Sequence, residues 1–144
     1  MIRSQRLSRN QRGAAAVEMA FALPVFIVLI WIFVQLAEIY QAMAGIQQAL
    51  GQGARYATLC LNPGVSGCSV PTATQVKTDI TNSVYGIGPG TFTVADPTTG
   101  SDGGTGHYYD LSVTYSQPTS LLLFPGPTIN VTRSKRVWVA GTPS

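Results

Sequence analysis

The most prominent pattern in this sequence is an uncharged run of nineteen residues, Met19–Ala37, which lies between Glu18 and Glu38. Phe, Ile, Val, Leu and Trp dominate the run. As a helix that rises ~1.5 Å per residue, it would extend roughly 28 Å, close to the ~30 Å hydrocarbon core of a bilayer. Backbone groups find no water there, so such a segment must be helical. The pattern predicts one transmembrane helix near the N-terminus.

The helical pattern continues beyond this run. Apolar or small residues recur at alternating steps of four and three, which predicts a stripe on one helix face: Ile39, Met43, Ile46, Leu50, Gly53, Ala57 and Cys60. Small residues also follow one another a turn apart, which allows another helix or a sheet to approach closely: Gly45, Ala49, Gly53 and Ala57. Turn-forming residues at 62–64 end the element. We therefore expect a helix over residues 14–60.

The remainder of the chain changes to shorter patterns. Apolar residues at helical spacing after Thr72 predict a short amphipathic helix over 72–84. Alternating residues predict strands at 91–94, 109–115 and 129–139, whereas Gly, Ser, Thr and Asp at 97–106 predict a flexible loop. The last strand is expected to carry a bulge near 133–136, and the apolar run 121–124 receives no element. The fold class is α+β: a long helix followed by a small antiparallel sheet.

The formal charge of +3 is unevenly distributed. Residues 1–13 carry four arginines and no acid, whereas the rest of the chain carries five basic and six acidic residues. A basic flank before an apolar helix is the positive-inside signal, which predicts a cytoplasmic N-terminus and an exported C-terminal part. The high pI therefore does not indicate a nucleic-acid partner. The predicted layout is a basic leader (1–13), a transmembrane and extended helix (14–60) and a small exported domain (61–144).

Two cysteines fit an exported domain. Cys60 and Cys68 flank a turn-rich stretch, and a pair at short spacing in an oxidising compartment predicts a disulfide, with two free thiols as the alternative. A metal site would need more ligands, and His107, the only histidine, is expected to be a solvated loop residue. No phosphate-binding loop or paired-carboxylate motif occurs in the sequence. We expect neither a cofactor nor enzymatic activity; the chain is more plausibly the substrate of an enzyme.

The residues with the most specific chemistry lie at the start of the helix. Gly13 stands between the basic leader and the apolar helix, and Glu18 follows five residues later. A cut after Gly13 would make Ala14 a free amino terminus and would leave Glu18 near the positive end of the helix dipole. Its carboxylate could then accept a charge-assisted hydrogen bond from the amine of a neighbouring subunit. Pro24 removes a backbone hydrogen bond within the helix and predicts a kink.

Glycine followed by an apolar helix with glutamate at the fifth position resembles the type IV prepilin class. The stretch from Arg12 to Pro24, RGAAAVEMAFALP, is particularly similar to the TadE-like family, minor pilins or pseudopilins of the tight-adherence (Flp) pilus. The resemblance implies cleavage between Gly13 and Ala14 by a prepilin peptidase. It also implies a single-pass protein of the bacterial inner membrane with a periplasmic C-terminal domain. Its implied partners are the lipid bilayer, other pilin subunits and the inner-membrane assembly platform.

Two other hypotheses stay open at this point. The segment Ala42-Met43-Ala44 matches a signal-peptidase site, so the chain could be a soluble secreted protein cut after Ala44. Against this, the apolar run exceeds the ~7–15 residues usual in a signal peptide. The third hypothesis is an uncleaved single-pass membrane protein whose external domain binds something unrelated to pili. The pair Gly13 and Glu18 favours the pilin-like interpretation.

Overall fold

The computed structural model of the protein describes residues 5–86, 88–122 and 124–142. The chain forms two helices and then four strands. The helices are α1 (Gln5–Ala57) and α2 (Ala73–Ser83), and the strands are β1 (Thr91–Val94), β2 (Thr98–Ser101), β3 (His107–Ser120) and β4 (Pro125–Val139). A long N-terminal helix, a short helix and an antiparallel sheet confirm the predicted α+β class.

Helix α1 begins earlier and ends earlier than predicted. It starts at Gln5, within the basic leader, and ends at Ala57 rather than Cys60. Thr58 returns its N–H to the carbonyls of Ala54 and Arg55, each at 3.2 Å, and the chain then turns into the loop that Cys60 opens. The helix therefore gives way to a disulfide-closed loop before the proline and glycine at 63 and 64 are reached.

Helix α2 forms where its sequence predicted it. Thr72 caps its N-terminus, accepting a hydrogen bond from the Gln75 N–H, while the Gln75 side chain accepts one from the Thr72 N–H at 2.9 Å. This reciprocal pair satisfies two backbone donors that a helix start leaves free. The buried residues Val76 and Ile80 face α1, which explains the predicted spacing.

Strand β3 is the centre of the sheet. It pairs with β4 along its whole length, from His107 opposite Val139 to Ser120 opposite Pro125. On its other edge it pairs antiparallel with β2 through residues 107–110 and with β1 through residues 113–116. The sheet therefore has β4 alone on one side and two short strands end to end on the other.

Three sequence-based expectations about the sheet are wrong. The loop predicted at 97–106 contains β2, because the edge of β3 beyond β1 offers backbone partners to a segment that lacks alternating apolar residues. His107, predicted to lie in a loop, is the first residue of β3 and is half-buried. The pairing of β4 shows no bulge near 133–136; the irregularity lies between Pro118 and Ser120. Arg133 and Lys135 remain exposed on an edge strand, where charged side chains are tolerated without a register change.

The core lies between the sheet and the C-terminal half of α1. Alternate residues of β3 are fully or almost fully buried and face the helices: Tyr109, Leu111, Val113, Tyr115 and Gln117. They pack in one cluster with buried residues of α1 and α2, among them Ala42, Ile46, Ala49, Leu50, Val76 and Ile80. The predicted stripe on α1 is thus largely buried, with Met43 only half-covered.

The small-residue series on α1 is where other segments approach most closely. A Cβ at Gly45 would overlap the backbone carbonyl of Tyr85, and one at Gly53 would overlap the Ile80 side chain. Ala49 and Ala57 are 0% and 1% exposed. The predicted close approach is confirmed, and α2 with the segment that follows it occupies that face.

Candidate functional site

The N-terminal half of α1 presents an apolar surface on all sides. From residue 13 to residue 37 every side chain except those of Val28 and Gln35 is exposed, and the large apolar ones among them range from 39% exposed at Trp31 to 75% at Phe21. A contiguous apolar surface of this extent marks a contact with a membrane or with other proteins. By length and composition, the helix between Gly13 and Ala57 is able to cross a membrane. It suggests a membrane anchor and is consistent with a single-pass protein.

The residues of the predicted processing site lie in an open part of this helix. Gly13 and Ala14 are exposed, and no atom lies within 4 Å of the position that a Cβ on Gly13 would take. The chain's own fold therefore has room for a larger side chain at residue 13. Any requirement for glycine there would have to come from a partner that approaches it.

Glu18 is exposed. It lies slightly more than one helical turn beyond Gly13, about 7.5 Å along the helix axis. Its neighbours Val17 and Met19 are 59% and 60% exposed apolar side chains. Glu18 forms no ion pair with any residue whose side chain the structure describes. Pro24 lies within α1, one to two turns further on. The roles of Gly13, Ala14 and Glu18, and a kink at Pro24, stay predictions.

The apolar half of α1 meets the domain at a polar junction. Glu38, the charge that ends the uncharged run, accepts a hydrogen bond from the Gln117 side chain at 2.8 Å. The other end of the Gln117 amide accepts a hydrogen bond from the Tyr115 hydroxyl at 2.9 Å. Gln117 is 0% exposed, so the chain satisfies a buried amide on both sides. This network fixes β3 against α1 at the point where the helix leaves the domain.

The junction shifts the ionisation of Tyr115. Burial raises the pKa of its hydroxyl, because the phenolate would lose its hydration, and the negative charge of Glu38 raises the pKa further. A backbone hydrogen bond from Gly90 acts in the opposite direction. Tyr109, also in the core, has a pKa raised by burial, and its hydroxyl donates to the Pro71 carbonyl at 2.8 Å. Both tyrosines are therefore held in the neutral, hydrogen-bonded form.

A second contact joins α1 to the end of the β3–β4 hairpin. The Ser120 carbonyl accepts hydrogen bonds from the Gln35 side chain at 2.6 Å and from the Trp31 indole at 3.0 Å. The Ser120 N–H donates to the Gln35 side-chain oxygen at 2.8 Å. Sequence reasoning missed this contact. A signal was present, since Gln35 is the only carboxamide in the uncharged run.

The domain is closed at the other end of α1 by the predicted disulfide. Cys60 and Cys68 are joined, with their Cα atoms 5.3 Å apart. The loop between them is exposed, including Leu61 at 80% and Val65 at 57%. No group of three or more metal-ligating side chains occurs within the residues that the structure describes. The described residues thus present exposed apolar surfaces on a folded domain.

Residues 13–55 match the family model of TadE-like proteins. This segment of α1 is similar to TadE-like proteins. The match begins at Gly13 and ends within the part of α1 that the sheet and α2 bury, so the resemblance inferred from the residues around Glu18 is confirmed over this range. No curated protein and no solved structure matches the chain. The match of these residues to TadE-like proteins supports a protein associated with the Tad pilus and suggests interaction with other pilus components.

Proposed function

We propose that the protein is a structural or assembly subunit of a Tad (Flp) pilus, a minor pilin or pseudopilin. The observation that carries the proposal is the division of one TadE-like helix into two surfaces. Residues 13–37 are mostly exposed and, apart from Glu18 and Gln35, apolar, whereas the same helix from Ile39 onward is part of a folded domain. A helix that is apolar all round is stable when lipid or other apolar helices surround it. Such a helix serves first as a membrane anchor and then as the lateral contact between subunits.

The proposed topology places the N-terminus in the cytoplasm and the domain in the periplasm. The four arginines before Gly13 favour this orientation, because basic residues are retained on the cytoplasmic side. The disulfide Cys60–Cys68 supports it, since disulfides persist in oxidising compartments.

The maturation that we propose is cleavage between Gly13 and Ala14 by a prepilin peptidase. After the cut the new amino terminus and Glu18 lie about one turn apart on the same helix. The carboxylate of one subunit can then accept a hydrogen bond from the terminal amine of a neighbour, in an apolar environment that strengthens charge-assisted bonds. The exposure of Glu18, away from the folded domain, supports a partner on another molecule.

The contacts of α1 argue against secretion after a cut behind Ala44. Such a cut would remove Ile39 and Ala42, which are 7% and 0% exposed in the core. It would also remove Glu38, the partner of the buried Gln117 amide. The domain would lose part of its own packing, whereas a cut after Gly13 leaves all of these contacts in place.

The test is the intact mass and N-terminal sequence of the protein recovered from membranes of its native host. We expect a chain that begins at Ala14. Gly13→Leu should leave the full-length protein in the membrane, because the larger side chain blocks the peptidase although the fold has room for it. Gly51→Leu is the matched control, since a Cβ at Gly51 also meets nothing within 4 Å. Maturation of the Gly13→Leu variant at the normal rate would disprove the cleavage assignment.

The role of Glu18 needs a separate experiment. Glu18→Ala should insert into the membrane normally but enter pili poorly, because it removes the proposed acceptor for the neighbouring amine. Glu18→Gln keeps an acceptor without the charge, so it should enter pili in an amount between those of wild type and Glu18→Ala. Equal amounts of surface pili in the wild-type and Glu18→Ala strains would show that this carboxylate has no part in assembly.

A further inference from the structure

The contact between α1 and the end of the β3–β4 hairpin lies inside the uncharged run. Trp31 is six residues before Ala37, so it lies roughly 9 Å from the end of that run along the helix axis. Ser120 is bonded to Trp31 and Gln35 together. If the run fills the hydrocarbon core, this part of the hairpin lies within the outer portion of the same bilayer.

The direction of β3 carries the hairpin further toward the membrane. Gln117 contacts α1 at Glu38, and Ser120 contacts it at Gln35 and Trp31. Later residues of β3 thus contact earlier residues of α1, so the two elements run in opposite directions. The described residues of the turn, Leu121, Leu122 and Phe124, therefore lie beside Trp31 or beyond it, on the side of the apolar half of α1.

We call Leu121, Leu122 and Phe124 the hairpin tip. Their exposed fractions are 47%, 50% and 68%. The sequence around the tip carries no charge from residue 111 to residue 132. Leu122 has a φ of +64°, a conformation in which glycine or asparagine would be under less strain, yet the residue is a leucine. The tip thus presents apolar side chains outside the domain.

Several polar groups of this region have hydrogen-bond partners within the chain. The amide of Gln35 would be costly at this depth without a partner, and it exchanges two hydrogen bonds with the Ser120 backbone. Within the turn, the Leu121 N–H donates to the Phe124 carbonyl at 2.8 Å. Irregular backbone is tolerated at membrane depth only where the protein itself provides such partners.

We propose that the hairpin tip inserts into the periplasmic leaflet, so that the protein contacts the bilayer both through α1 and through a second, monotopic element. The proposal rests on the membrane anchoring of α1 proposed above. An apolar groove of about 240 Å³ between the hairpin and the helix continues the same surface, and its lining includes Ile32, Leu36, Leu121 and Ile129. Lipid acyl chains cover both the groove and the tip. The domain is thereby held at a fixed tilt on the membrane.

The experiment measures depth at single nitroxide labels in the full chain, reconstituted in nanodiscs of phosphatidylcholine and phosphatidylglycerol. Labels are attached to Phe124→Cys, to Leu122→Cys as a second tip position, to Phe26→Cys in the anchor and to Trp138→Cys at the opposite end of the hairpin. Phe26, Phe124 and Trp138 are all exposed, at 63%, 68% and 52%, so labelling need not disturb the fold. Collisions with oxygen report lipid, and collisions with a water-soluble nickel chelate report solvent.

We expect labels at both tip positions to lose collisions with the nickel chelate and to keep those with oxygen, as the label at Phe26 does, while the label at Trp138 shows the reverse. Tip labels that behave like Trp138 would overturn the proposal and leave the anchor intact. Tip labels protected from both reagents would also overturn it, because another protein segment would then cover the tip. A label at Phe26 that meets the nickel chelate freely would refute the anchor, and with it the insertion.

Discussion

The two halves of α1 contain similar residues in one continuous helix, but their surroundings differ. Ile30 is 50% exposed and Ile46 is 0% exposed, although only sixteen positions separate them. Residues 19–37 are apolar all round except at Gln35, whereas beyond Glu38 the apolar and small residues form one stripe. A stripe can be buried by one domain, but an all-round apolar surface needs an environment that surrounds the helix. The distribution of polar residues therefore decides which half the domain covers.

Glycine shows the same contrast. A Cβ at Gly13 would meet nothing, whereas one at Gly45 would overlap the Tyr85 carbonyl. The first glycine is unconstrained by the fold, and the second is required by it. A requirement for glycine in the exposed half therefore points to another molecule, and in the buried half to the domain.

Substitution of one isoleucine in each half should give the largest contrast. Ile46→Ala removes a fully buried side chain and should lower the free energy of unfolding by about 2–5 kcal/mol. Ile30→Ala should leave the unfolding of the domain unchanged, because Ile30 lies outside the core. Chemical unfolding of the full chain in detergent micelles measures both. Equal destabilisation by the two variants would contradict the division of α1 into an anchor and a core helix.

Two glycines in the second half sharpen the comparison. Gly45→Ala should destabilise the domain by about 1–3 kcal/mol, because the backbone of Tyr85 cannot move aside as a flexible side chain would. Gly51→Ala, in open space on the same helix, should instead stabilise it by about 0.5–1 kcal/mol through helix propensity. Thermal unfolding of the two variants should therefore shift in opposite directions. A shift in the same direction would mean that Tyr85 does not pack on Gly45.

Much of this fold follows from spacing alone. The stripe from Ile39 to Ala57, the helix after Thr72 and the alternation in β3 all reflect periodic burial, which a single sequence displays. Strand β2 could not be predicted in this way, because it is held by backbone pairing with β3 and its own side chains are mostly exposed. The basic residues at 133 and 135 led to the wrong prediction of a bulge, since the sequence pattern does not reveal that β4 is an edge strand.

The same distinction between local spacing and long-range pairing applies to the candidate site. The roles of Gly13 and Glu18 stay predictions, and they were drawn from local sequence because the proposed chemistry depends on neighbouring positions in one helix. The junction of Glu38 with Gln117 and the contact of Gln35 with Ser120 join residues 79 and 85 positions apart. No local pattern pairs such residues. A lone glutamine in an apolar run indicates that a partner is needed, but not which segment provides it.

Breaking the polar junction between the two halves of α1 should lower the free energy of unfolding less than truncating a core side chain such as Ile46. Gln117→Leu removes the donor to Glu38 and the acceptor of the buried Tyr115 hydroxyl. We expect a loss of about 1–2 kcal/mol, the lower part of the range for unsatisfied groups, because Glu38 is only partly buried. Gln48→Leu is the control, since Gln48 accepts an exposed hydrogen bond from Tyr85 at 3.2 Å. Similar losses of unfolding free energy in both variants would show that the buried junction contributes no more to stability than an exposed hydrogen bond.

The smallest effect concerns alkaline pH and the same junction. The pKa of Tyr115 is raised in the folded protein above its ordinary value of 10.0, so the folded chain keeps a proton that the unfolded chain releases. Stability is therefore unaffected below pH ~10 and falls as the pH rises through the range between the unfolded and folded pKa values. Burial of Tyr109 acts in the same direction.

Tyr115→Phe should weaken this alkaline dependence, because phenylalanine has no proton to release, although the variant also loses the hydrogen bond to Gln117. The two consequences separate with pH: the lost bond lowers stability equally at pH 7 and pH 9, whereas the change in slope appears only above pH ~10. Unfolding free energies measured from pH 7 to pH 11 in wild type, Tyr115→Phe and Tyr109→Phe give both quantities. An unchanged slope in Tyr115→Phe would show that Glu38 and burial do not hold this hydroxyl neutral at the junction.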